Sequence, residues 1–190
     1  SEHEQALSSR AYTAEQVKVI AESQTDKHAL STQLAYAAGL RAHELHTLSR
    51  ASEKQANERP ALDSKFQGRA GVIYTVTGKG GLTREVLIPN KLADKLEERR
   101  LDVPQKITDR GVHYEQKYDI GAGQKWSNSY TQASNRALSW SEGAHGLRHS
   151  YAQERMNELQ NEGYFRDTAL ETVSQELGHF RPEITEVYLR

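Results

Sequence analysis

Apolar residues recur at helical intervals through the first quarter of the chain. Thr13-Ala14-Glu15-Gln16 has the spacing of a capping box, and Val17, Ile20 and Ala21 follow it, which predicts a helix over about 13–23. Asp26 is placed to cap a second run, Leu30, Leu34, Ala37 and Ala38, that stops at Gly39, a residue suited to the left-handed turn past a helix end. A third helix is expected from Arg41, carrying Leu45 and Leu48, and residues 50–69 then read as a polar connector. The period changes from 3.6 to 2 at Val72-Ile73-Tyr74-Thr75-Val76 and Glu85-Val86-Leu87-Ile88. Between these β-prone runs lies Gly78-Lys79-Gly80-Gly81, so a hairpin with Lys79 at its tip is predicted. Further helices are expected over Asn90 to Arg100, Ser127 to Trp140, 145–161 and 167–177, with a short one after Pro182. Residues 101–126 show no period and read as a long loop. The fold class expected is mainly α with a small antiparallel β-sheet, α+β.

Composition narrows this without changing it. The 190 residues amount to about one domain. Leu, Ile, Val and Phe make up about a fifth of the chain, a thin core, but 25 basic against 26 acidic residues give a net charge of −1, so charge repulsion does not argue for disorder. The absence of cysteine excludes disulfides, thiol nucleophiles and Cys-ligated zinc. No apolar run has the length of a membrane span, and the N-terminal Ser1-Glu2-His3-Glu4 is not a signal peptide, so a cytoplasmic protein is expected. The charge is unevenly placed: residues 41–106 carry 13 basic against 9 acidic groups, and residues 151–190 carry 4 against 8. A local excess of that size is commonly a solvated face.

Several short segments hold residues capable of chemistry, each with an ordinary alternative. Arg41 begins a helix beside an apolar run, and Glu44 three residues on could pair with it, as surface Arg–Glu pairs do. Lys79 suggests a mobile ammonium, although lysines at turns are common. Its Gly-Lys pair is not a phosphate-binding loop, because the required earlier glycine is Ile73. His145 and Arg148 share a face at the start of a helix, where free backbone N–H groups would also favour an anion. His43 with His46, or His145 with His149, could hold a metal, but no acidic partner stands at a recognised spacing. His179 follows Leu177-Gly178 as a capping or surface histidine would, and Tyr188 alone reads as core packing.

Taken in order, these segments form a pattern. Gly39-Leu40-Arg41-x-x-Glu44-Leu45, Gly78-Lys79-Gly80 between strands, His145-x-Leu147-Arg148-His149, Leu177-Gly178-His179 and Tyr188 nine residues later resemble the tyrosine recombinase (phage integrase) family over roughly residues 13–190. The resemblance implies a catalytic domain in which Arg41 and Arg148 clamp a phosphate and Lys79 is a general acid. His145 and His179 would be the active-site histidines and Tyr188 the nucleophile. It implies double-stranded DNA as partner, a synaptic tetramer as the working assembly, no cofactor and no metal, and a nucleoid-associated location. Gly146 departs from the polar residue usual at that position. An N-terminal DNA-clamping domain and a C-terminal tail are not matched, so the chain is expected to be a single catalytic domain of a longer protein. The competing expectations are a type IB topoisomerase-like relaxing enzyme, a non-catalytic DNA-binding regulator of the same fold, and a metal-dependent nuclease using the histidine pairs.

Overall fold

The computed structural model describes residues 9–179 and 181–190. Helices α1 (Ala14–Glu22) and α2 (Asp26–Ala38) lead into a 3-10 turn, Ala42–Thr47. The capping box forms as the spacing predicts, with Thr13 Oγ1 accepting from Gln16 N and Gln16 Oε1 accepting from Thr13 N. Asp26 is not a cap: it is the first residue of α2, and Thr25 takes the N-cap position without a side-chain bond. Gly39 ends α2 at φ +68°, where a side chain would meet Leu177 Cδ2 at 2.6 Å. The helix expected from Arg41 is instead the single 3-10 turn, with Arg41 as its N-cap. It stops because Leu48 is extended and Ser49–Arg50 pair as β1 with β2.

The hairpin is present as β2 (Val72–Thr77) and β3 (Thr83–Ile88), in register from Val72 opposite Ile88 to Thr77 opposite Thr83. With β1 it makes a three-stranded antiparallel sheet in the order β1-β2-β3. Helix α3 (Asn90–Glu98) follows. Residues 101–126 are not a loop: β4 (Arg100–Asp109) and β5 (Val112–Tyr118) form a second antiparallel sheet, and α4 (Gly123–Leu138) starts four residues earlier than the expected Ser127. Along β4 both faces are largely exposed, so its sequence carries no alternation to read.

The C-terminal third is helical: α5 (Gly146–Asn161), α6 (Arg166–Leu177) and α7 (Pro182–Glu186), then a 3-10 turn over Val187–Leu189. Buried apolar residues fall into two clusters. One joins α1, α2, the first sheet and α4 around Ile20, Leu34, Leu45, Val76, Trp126 and Tyr130. The other lies between α5 and α6 and includes Leu159, Val173, Leu177 and Tyr188. Arg155 and Glu176, both fully buried, reinforce the second: Arg155 donates to both carboxylate oxygens at 2.9 Å, and Tyr151 Oη and Phe66 N also donate to that carboxylate. Such a pair persists in a low dielectric because each charge is fully hydrogen-bonded. No helix among the described residues is long and apolar enough to cross a membrane.

Candidate active site

Arg148 sits on the first turns of α5 with no exposed surface, so its guanidinium must be held by fixed acceptors. It donates through Nη1 to Gly39 O and through Nη2 to Leu177 O at 3.2 Å, joining the ends of α2 and α6. Nη2 also lies 3.1 Å from His179 Nε2. A guanidinium is only a donor, so that imidazole nitrogen accepts, and His179 Nδ1 carries the proton it donates to Thr185 Oγ1 at 2.7 Å. Burial, then the neighbouring Arg148, lowers the His179 pKa to about 3, in keeping with a neutral ring. Burial and Arg41 lower that of Arg148 to about 10, which leaves it cationic at neutral pH.

Tyr188 lies against this group. Its ring stacks on His179 at 5.2 Å between centroids and 17° between planes, and the Arg148 guanidinium stands 5.4 Å from its centre. His149 meets it edge-on at 4.8 Å. The hydroxyl shares a hydrogen bond with His145 Nε2 at 3.0 Å. Desolvation, then Arg148, lowers the His145 pKa to about 4, so the ring is neutral at neutral pH and accepts from the hydroxyl in its Nδ1–H tautomer. The segment bearing Tyr188 is tethered by Gln153 Nε2, which donates to Tyr188 O and Arg190 O, both at 3.2 Å.

Arg41 and Lys79 approach from the other side. Together with His145, Glu44, Arg84 and Gly178 they line a cavity of about 700 Å³. Arg41 is held by Glu44, whose carboxylate accepts from its Nη1 at 3.4 Å and its backbone N at 2.8 Å. Glu44 is not part of a surface pair: it is fully buried. Burial alone would raise its pKa, but Arg84, Arg148 and Arg41 outweigh that and bring it down to about 2. Lys79 is exposed at the hairpin tip and makes no hydrogen bond or ion pair to any described residue.

No family model and no curated protein matches the chain. Solved structures do. XerH site-specific recombinase bound to difH substrate, in a pre-cleavage complex, is 19% identical with a TM-score of 0.58. The match covers 95% of this chain and 50% of that one; the post-cleavage complex gives 18%, 0.58, 95% and 49%. Tn1549 transposon integrase with transposon right-end DNA is 14% identical with a TM-score of 0.54, over 95% of this chain and 61% of that one. The fold is that of a tyrosine recombinase catalytic domain. This chain spans about half the length of the XerH chains it matches.

Within this recombinase fold the six residues singled out by sequence converge. His145, Arg148, His179 and Tyr188 touch one another, and Arg41 and Lys79 share a cavity wall with His145. The free N–H groups expected at the start of α5 are not available. Gly146, Leu147 and Arg148 donate to Gly143, Ala144 and His145 carbonyls, so side chains alone can receive an anion there. Of the histidine pairs considered for metal, His46 bonds Gln116 and Asp109 and His145 bonds Tyr188, whereas His43 Nε2 and His149 Nδ1 are buried without a hydrogen-bond partner among the described residues. Among the described residues no group of three or more His, Asp or Glu is placed to hold a metal ion.

Arg84 escaped the sequence reading. It is 8% exposed and pairs with Glu44. Its signal lay in the strand period: Arg84, Val86 and Ile88 alternate onto one face and all three are buried. A cation on the apolar face of a strand points to a buried counter-charge.

Proposed function

We propose that this chain is the catalytic domain of a site-specific DNA recombinase that cuts and rejoins strands through a 3′-phosphotyrosine at Tyr188. What supports the reading most is the hydroxyl of Tyr188, bonded to a neutral imidazole and ringed by His179 and Arg148. A structural tyrosine needs no such company.

The phenol attacks the scissile phosphorus in line with the 5′-oxygen. The phenol's proton must leave as the O–P bond forms, so a neighbouring base has to accept it. His145 Nε2 receives it. The cations that depress His145 are partly neutralised once a phosphodiester occupies the cavity, so its basicity rises with substrate bound. Arg41 offers a planar, permanently charged fork to the non-bridging oxygens, and Arg148, its Nη atoms held by Gly39 O, Leu177 O and His179, contributes fixed charge and an Nε without a partner among the described residues. Lys79 gives a proton to the departing 5′-oxygen, whose basicity as an alkoxide is near that of hydroxide. The phosphate remains esterified to Tyr188, and the 5′-hydroxyl of a partner strand reverses the steps. Duplex DNA in a homo-oligomeric synapse supplies that second strand.

The test is covalent capture. A pool of duplexes with a randomised centre and a suicide nick is incubated with the protein in EDTA, and denaturant-resistant adducts are isolated and sequenced. An adduct that Tyr188→Phe abolishes is expected, and the captured sequence supplies the target for later assays. An adduct that persists in Tyr188→Phe, or one that needs a divalent metal, overturns the reading.

A further inference from the structure

Lys79 makes no hydrogen bond or ion pair among the described residues, yet a general acid must stand within hydrogen-bond reach of the departing oxygen. Its placement therefore depends on how the β2–β3 hairpin is seated. The hairpin keeps its own shape through Gly78 N donating to Leu82 O at 3.0 Å and the Thr77 and Thr83 hydroxyls at 2.9 Å. Thr77 N also donates to Thr47 Oγ1 at 2.8 Å, one link to the 3-10 turn behind Arg41.

Arg84, five residues beyond Lys79, reaches further. Its Nη1 pairs with Glu44, the same carboxylate that holds Arg41. Its Nε points at Glu176 O, 3.4 Å away on the last turn of α6, and its Nη2 is buried without a hydrogen-bond partner among the described residues. Gly178 has φ +81°, and a side chain there would lie 2.7 Å from Arg84 Cδ. One side chain thus packs the lysine hairpin against the anchor of Arg41 and against the turn that delivers His179. The carbonyls of α6 below it are fixed in turn by the Arg155–Glu176 pair.

We propose that Arg84 is the positioning residue for Lys79, acting on leaving-group protonation through the seat of the hairpin. This rests on the recombinase reading above. Direct contact with substrate is not required: the orphan Nη2 is buried and Nη1 is committed to Glu44.

A substrate with sulfur at the 5′-bridging position isolates that step. The P–S bond breaks to release a thiolate, which departs without a proton because a thiol has a pKa of ~8.5 against ~15.7 for water. Rates of Tyr188 adduct formation are measured on the captured site with bridging oxygen and with bridging sulfur. The proteins compared are wild type, Lys79→Ala, Arg84→Met and Arg84→Lys. Both Arg84 variants are expected to lose about 30- to 100-fold on oxygen and less than about 5-fold on sulfur, following Lys79→Ala. An equal loss on both substrates overturns the proposal, since a phosphate clamp or a damaged site slows both alike; no loss on either also overturns it. Arg84→Lys keeps a cation opposite Glu44 and carries the test if Arg84→Met does not fold. Absence of a Tyr188-dependent adduct in wild type sinks the recombinase reading itself and is recognisable as a separate failure.

Discussion

The two sides of the cavity are built on different principles. On the α5–α6 side every group is bonded to another: Tyr188 to His145, Arg148 to His179, Gly39 and Leu177, and His179 to Thr185. On the hairpin side Lys79 stands in solvent. The difference separates two tasks. A nucleophile and the charges that stabilise the transition state gain from being fixed before substrate arrives. Under the function proposed above, a flexible ammonium at a turn would be organised by the substrate it protonates, with only the base of its hairpin held, by Arg84.

Substitutions that touch each side once sharpen this contrast. The largest effect is expected from Arg148→Lys. It keeps the charge but cannot span Gly39 O, Leu177 O and His179 together, so adduct formation falls by about 10²–10³. It also leaves buried carbonyls unmet at a cost of about 2–4 kcal/mol, read as a lower Tm in thermal unfolding. An unchanged Tm would show that the wired side is not fixed as described. Lys79→Ala is the counterpart: a rate loss of about 10²–10⁴ with stability within about 0.5 kcal/mol of wild type. A marked drop in Tm would mean that the exposed tip carries structure, and the contrast would dissolve.

The smallest expected effect is on pH dependence. The folded pKa values of His145 and His179, about 4 and about 3, lie below the unfolded value of about 6.5. The neutral rings contribute stability that is fully present above about pH 6.5 and is lost as pH falls from there toward 4. Glu44, also depressed, adds its loss only below about pH 4.5. Melting curves between pH 8 and 5 should show Tm falling on acidification, with a shallower slope in His179→Gln. Equal slopes would remove His179 from the account.

The same contrast explains what the sequence could reveal. The bonded side was legible because its parts sit at short, fixed spacings: His145 and Arg148 on one helix face, and Gly178, His179 and Tyr188 close together on the segment that returns over it. The hairpin was legible because its glycines interrupt two β-prone runs. Arg84 was hard to see because its meaning depends on Glu44, forty positions earlier in the chain, and nothing local announces a buried pair across that distance. The β4–β5 sheet is hard to see in the sequence for the opposite reason. Strand β4 buries little on either side, so no alternation marks it, and the face of β5 that is buried mixes Gln116 with Tyr114 and Tyr118; Tyr118 in the core and the bonds from His46 to Asp109 and Gln116 fix the sheet in place. Gly146, a departure from the family pattern, has a local cause: a Cβ there would stand 2.4 Å from Arg10 O and 2.6 Å from the Tyr12 ring.

Tyr188 is also a member of the second apolar cluster, beside Leu177 and Val173. A phenol swung out to carry a DNA end would leave that small core short of one of its larger tenants, and water would gain access to leucine and valine surface that is otherwise dry. In the proposed reaction, the folded chain would itself lean toward recapturing the ring, a mechanical bias for resealing that requires no additional catalytic group.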